Sequence, residues 1–188
     1  MSETRPILVE TVDPAGRATG EMEKLAAHQP PGVLHRAFSL FAFDDDDRLV
    51  LQRRAASKYH SPLVWTNTAC GHPFAGEEPA DAVRRRAREE LGAALTDVEQ
   101  VGTVLYQVLD ERSGLAEHEY NHVFVARLVG PLVPAPDEVD SVRRVDAAGL
   151  DAVREEHGLT AWFPHVWDAV RPVLADRFGG FDRSDGAR

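Results

Sequence analysis

The sequence predicts an α+β fold, an α/β/α sandwich built on a mixed sheet, and three observations carry that expectation. Runs rich in β-branched and aromatic residues alternate with amphipathic stretches of helical period. The clearest helical stretch, Glu78–Leu91, lies between strand-like runs rather than after them. The longest such runs, Val98–Leu109 and His118–Val129, flank one short turn at Glu111–Gly114.

From the N-terminus, Ile7–Glu10 reads as a short strand, ended by the turn-prone Asp13-Pro14-Ala15-Gly16. A short helix is expected over Glu21–His28, broken by Pro30-Pro31-Gly32. His35–Phe43 and Leu49–Arg53 read as the strands of a hairpin with Asp44-Asp45-Asp46-Asp47 at its tip. Four successive aspartates without interleaved spacing repel one another in solvent, so they are not taken as a metal site. In the Glu78–Leu91 helix, Pro79 fits the first turn, Ala82, Val83, Ala87 and Leu91 form an apolar stripe, and Gly92 closes it. Val139–Val145 is a further strand, and helices follow over Ala147–His157 and Ala161–Phe178, the second capped by Thr160. Residues 1–178 are expected to form one domain, and the small, polar residues 179–188 a disordered tail.

With 43% hydrophobic and 28% charged residues, the chain falls in the ordinary soluble globular class. No run approaches the roughly 18 apolar residues of a membrane span, so no membrane association is expected. Met1–Pro6 has neither a basic nor an apolar signal region, so no secretory signal is expected. A single cysteine excludes an internal disulfide framework and suits a reducing, cytoplasmic setting. The formal net charge of −10 argues against nucleic acid, which wants a basic face. A small anionic substrate remains compatible, because Arg53, Arg54 and Lys58, and then Arg84, Arg85, Arg86 and Arg88, gather positive charge locally. No glycine-rich dinucleotide turn is present, so no flavin is expected. Oligomeric state is not legible.

That single cysteine, Cys70, lies in Trp65-Thr66-Asn67-Thr68-Ala69-Cys70-Gly71-His72-Pro73 and leads into a spaced motif. The pattern Gly71-x5-Glu77-x7-Arg85-Arg86-Ala87-Arg88-Glu89-Glu90-Leu91-Gly92-Ala93 resembles the Nudix box, a loop and helix whose carboxylates hold a divalent cation against a diphosphate. Hard oxygen ligands of this kind suit Mg²⁺. Two positions depart from the pattern. Arg86 replaces the first helical glutamate and Ala93 replaces a bulky aliphatic residue, and the first change weakens a hydrolase reading.

Downstream, Glu117-His118-Glu119-Tyr120-Asn121-His122 lies on a predicted strand. A period of two puts Glu117 and Glu119 on one face, about 7 Å apart, and His118, Tyr120 and His122 on the other. His118 with His122 is therefore rejected as a metal pair. His28, His35 and His72 are each unremarkable alone.

Together these segments are similar to type 1 isopentenyl-diphosphate isomerases. The similarity rests on Leu25-Ala26-Ala27-His28, Leu34–Ser39, Arg53–Lys58, Trp65-Thr66-Asn67, Cys70-Gly71-His72-Pro73 and Glu117-His118-Glu119, in that order. It spans about Ile7 to Trp167 and implies a Nudix-like sandwich and a metal-dependent interconversion of isopentenyl and dimethylallyl diphosphates. It further implies that His28, His35, His72, Glu117 and Glu119 ligate one divalent ion, Mn²⁺ or Zn²⁺. Glu90 then helps bind a Mg²⁺ that bridges to the diphosphate, and Lys24, Arg53, Lys58 and Arg86 hold that diphosphate. Cys70 and Glu119 are the implied acid-base pair on opposite faces of the substrate. Tyr106 hydrogen-bonds the acid-base group, and Trp162 offers an aromatic face to a carbocation-like intermediate. The rivals are a Nudix hydrolase of a nucleoside or other diphosphate, and a non-catalytic diphosphate-binding module.

Overall fold

The computed structural model describes residues 6–178 and residue 181. Among the described residues, nine strands form one mixed sheet. They are β1 (Leu8–Val12), β2 (Ala18–Glu23), β3 (His35–Phe43), β4 (Leu49–Arg54), β5 (Trp65–Thr66), β6 (Ala69–Gly71), β7 (Ala94–Asp110), β8 (Leu115–Val129) and β9 (Val139–Val145). Four helices, α1 (Lys24–Ala27), α2 (Pro79–Leu91), α3 (Ala147–His157) and α4 (Phe163–Arg177), complete the order. The centre of the sheet is β3, which runs parallel to β8 over its whole length and antiparallel to β6.

Alternation along β3 divides the core. Phe38, Leu40 and Ala42 pack with Ala82, Val83, Ala87 and Leu91 of α2, while Phe41 and Phe43 pack with Leu150 of α3 and Val166, Val170 and Leu174 of α4. Helices therefore cover both faces, as the expected sandwich requires. Helix α2 ends at Gly92, whose φ of 63° is left-handed. A Cβ there would approach Val133 O to 2.9 Å, so the turn demands glycine.

The expected helix over Glu21–His28 is corrected. Glu21, Met22 and Glu23 pair with Glu10, Val9 and Leu8 of β1, so the strand continues to Glu23. Glu23 then caps a single helical turn, accepting from Leu25 N at 2.9 Å and Ala26 N at 2.8 Å. Thr160 does not cap α4; its hydroxyl lies 2.9 Å from that of Thr66, and the helix begins at Phe163 with proline in its first turn. The expected tail falls outside the described residues except for Phe181, which is buried against Phe43 and Trp167. No helix among the described residues is long and apolar enough to cross a membrane.

Sequence reading found no strand at β5 or β6, because runs of two or three residues carry no period. Side chains hold the polar stretch between them. Asn67 Nδ2 donates to Leu40 O and Ala69 O, while Thr68 Oγ1 donates to Val50 O at 2.6 Å and accepts from Ala42 N at 2.8 Å. These bonds satisfy fully buried groups and fix the approach to Cys70.

Candidate active site

Glu117 and Glu119 stand buried on one face of β8, with His118, Tyr120 and His122 half-buried on the other, as their spacing predicts. Parallel pairing places His35 beside Glu119, and the pairing of β6 with β3 places Cys70 opposite Ser39. His72 follows β6 directly, and His28 is the C-cap of α1. One potential ligand atom from each of His28, His35, His72, Glu117 and Glu119 lies within 4.8 Å of all the others.

The chemistry of this donor set fits a cation. His28 Nδ1 lies 2.7 Å from Lys24 O, and His35 Nδ1 lies 2.7 Å from Val33 O. A neutral imidazole that donates through Nδ1 carries its lone pair on Nε2. Those Nε2 atoms face further acceptors. His28 Nε2 is 3.0 Å from Glu117 Oε2, an oxygen without a hydrogen-bond partner, and His35 Nε2 is 3.0 Å from His72 Nε2. Burial, with His28 close by, pushes His35 down to about 4, and burial holds His72 well below the usual histidine range. Converging lone pairs repel unless positive charge lies among them, and anchoring the far ring nitrogen is how proteins orient metal-ligating histidines.

Glu119 is held from behind. The Tyr106 hydroxyl and Asn121 Nδ2 both donate to its Oε2, leaving Oε1 at 3.3 Å from His72 Nε2. Burial and the neighbouring Glu117 push Glu119 well above the usual carboxylate range. Glu117 is buried as well, with His28 beside one of its oxygens and His60 beside the other. Cys70, half-buried, has its thiol pushed up to about 12 by burial, with Arg54 Nη1 4.0 Å from its sulfur.

Cys70, Glu117, Glu119, His28, His72 and Trp162 line one cavity of about 360 Å³, within the range of small-ligand pockets. Lys24, Arg54, Lys58, Arg86 and Glu90 line it too. Arg86 Nη2 lies 2.6 Å from Glu90 Oε1 and 2.9 Å from Glu138 Oε2, and its Nη1 lies 2.8 Å from Glu89 Oε2. Lys58 Nζ reaches Glu138 Oε2 at 2.6 Å. The other oxygen of Glu90 accepts from Gln52 Nε2 at 2.7 Å. Tyr106 and His35 support the site from behind its lining.

Arg53, expected among the diphosphate cations, is not brought to the cavity. It donates to Leu63 O and pairs with Asp140 at 3.4 Å. Arg54, one residue on, shares the strand face of Gln52 and lines the cavity instead. A one-residue step along a strand reverses the face, and two adjacent arginines do not disclose which one points inward.

Residues 33–165 match the NUDIX domain family. The chain is 49% identical over 173 residues to the isopentenyl-diphosphate Delta-isomerase of Streptomyces avermitilis, covering 92% of this chain and 88% of that one. Identity to the Nocardia farcinica protein of the same name is 43%, covering 91% and 98%. The chain belongs to the isopentenyl-diphosphate Delta-isomerase family of NUDIX-domain proteins. Among solved structures, DR0079 from Deinococcus radiodurans superposes with a TM-score of 0.67 at 16% identity, covering 88% of this chain and 98% of that one. The NUDIX domain of Shewanella oneidensis NrtR, complexed with ADP ribose, gives 0.57 at 18% identity, covering 75% and 87%. These two structures share the fold.

Within this family the substitution at Arg86 acquires a physical sense. Its guanidinium engages both Glu89 and Glu90, so the helix carries a carboxylate–cation cluster at the position where the Nudix box has a glutamate. Sequence reasoning missed Gln52, His60, Asn121 and Glu138, which surround the site, and named Arg54 only within the local positive charge. Asn121 was within reach, since it follows Glu117 and Glu119 at the same strand period. Glu138 and His60 come from loops, where no period points to a face.

Proposed function

We propose that this chain interconverts isopentenyl and dimethylallyl diphosphates, and one observation carries the reading: Cys70 and Glu119 line one cavity with His28, His72 and Glu117 of the His/Glu cluster and a group of cations. His28, His35, His72, Glu117 and Glu119 would hold Mn²⁺ or Zn²⁺, and Glu90 would contribute to a Mg²⁺ site. Once bound, such ions would supply positive charge that strengthens the acidity of a carboxyl and offsets the diphosphate.

Lys24, Arg54, Lys58 and Arg86 bind the anionic end and orient the alkene between Cys70 and Glu119. One of this pair adds a proton to the terminal methylene, and the other removes a proton from the carbon next to the oxygen-bearing one. The double bond moves by one position with no net change in atoms or electrons. Tyr106 and Asn121 fix the Glu119 carboxyl for this transfer. The buried indole of Trp162 excludes water and faces the developing positive charge, a contribution of ~1–2 kcal/mol.

Incubation with labelled isopentenyl diphosphate separates the readings. Dimethylallyl diphosphate is expected, while release of phosphate or pyrophosphate would mark a hydrolase, and binding without turnover a passive module. Treatment with EDTA is expected to remove activity, and Mg²⁺ with Mn²⁺ or Zn²⁺ to restore it. Full activity in metal-free protein would defeat the ligand assignment.

A further inference from the structure

His60 is buried to 4% exposure in a loop, and both of its ring nitrogens point at carboxylates. Its Nδ1 lies 2.9 Å from Glu117 Oε1, and its Nε2 lies 3.2 Å from Asp110 Oδ2, close but poorly aligned for a hydrogen bond. Asp110 is itself buried and held from three sides. It accepts from Ser61 Oγ at 2.8 Å, Ser113 Oγ at 2.7 Å and Arg112 N at 3.2 Å. The indole of Trp162 packs against the imidazole at 5.4 Å.

Burying an imidazole between two carboxylates is unfavourable unless each group orients the next. The backbone is also constrained here, since Ser61 and Leu63 take left-handed φ values of 44° and 58° without being glycine. His60 is not among the five clustered residues. It approaches Glu117 through Oε1, whereas His28 faces Oε2. The two oxygens of one carboxylate thus have different neighbours, an arrangement that orients a ligand from outside the ligand set.

We infer that His60, packed between Asp110 and Trp162, is a positioning residue that fixes the Glu117 carboxylate with Oε2 turned towards the five-residue metal site. The inference rests on the reading of that cluster as a metal site. The test is Zn²⁺ affinity of the purified full-length chain, measured against a chromophoric chelator, with the absorption spectrum of bound Co²⁺ and the melting temperature of the ion-free protein. His60→Ala is expected to weaken Zn²⁺ binding by about 10–100-fold and to perturb the Co²⁺ spectrum. His60→Asn, whose amide nitrogen can donate from near the Nδ1 position, is expected to recover most of the affinity. Wild-type affinity in a folded His60→Ala protein would overturn the inference. So would equal weakening of both variants in step with their melting temperatures, which marks packing alone. No Zn²⁺ binding by the wild-type chain would overturn the metal-site reading itself, and the role of His60 with it.

Discussion

Cys70 sits where burial keeps its proton on, with the thiol raised to about 12, and where Arg54 is its nearest charged neighbour in hydrogen-bond geometry. A thiol in that state is a reservoir for one proton rather than a nucleophile. Cys70→Ala is expected to abolish formation of dimethylallyl diphosphate while metal content and melting temperature stay near wild type. Turnover at the wild-type rate would remove the thiol from the mechanism. Tyr106 acts one step back. Its hydroxyl donates to Glu119 Oε2, and leaving such a buried group without its partner costs about 1–3 kcal/mol. Tyr106→Phe should therefore lower kcat by roughly 10–100-fold with little change in KM. Steady-state kinetics would show it, and an unchanged kcat would leave Tyr106 a packing residue.

The loop leading into α2 is pinned to that helix by one carboxylate. Glu77 accepts from Phe74 N, from Arg85 Nε and from Arg85 Nη2, each at 2.8 Å. Arg85 holds the Glu77 carboxyl below its ordinary value of 4.5, even though partial burial opposes ionisation. A depressed carboxylate contributes stability that is complete above its unfolded value and lost as pH falls through the folded one. Glu77→Gln should thus cost about 1–2 kcal/mol at neutral pH, and the gap to wild type should close as pH falls below 4.5. Thermal melts across that window would measure it; a gap independent of pH would assign the effect to something other than this charge. Legibility at this scale followed length. The α2 helix spans enough turns to show its stripe, whereas α1 has four residues and is set by the Glu23 cap and by pairing of β2 with β1. A local helical pattern from Glu21 onward lost to that strand pairing.

Closure of the α4-side core extends past the end of α4. Phe43 stacks on Phe178 at 3.7 Å and meets Phe181 edge-on at 5.6 Å, and Trp167 also contacts Phe181. Phe181→Ala should destabilise the fold by about 3 kcal/mol, a fall of roughly 6–12 °C in Tm. An unshifted melting temperature would place Phe181 outside the cooperative core. The side chain was hidden from a reading of composition, because one phenylalanine in a small, polar tail carries no periodic signal. The longer strands and helices, the shared face of Glu117 and Glu119, and the family likeness were legible along the chain, since each depends on spacing between near neighbours. Convergence was not. Four of the five potential ligands gather because β3 lies parallel to β8 and antiparallel to β6, and the end of α1 brings His28 to them; the course of β4 admits Arg54 to the cavity and leaves Arg53 outside, and a loop sets His60 between Asp110 and Glu117. Register between strands is a non-local choice, made by packing two faces at once.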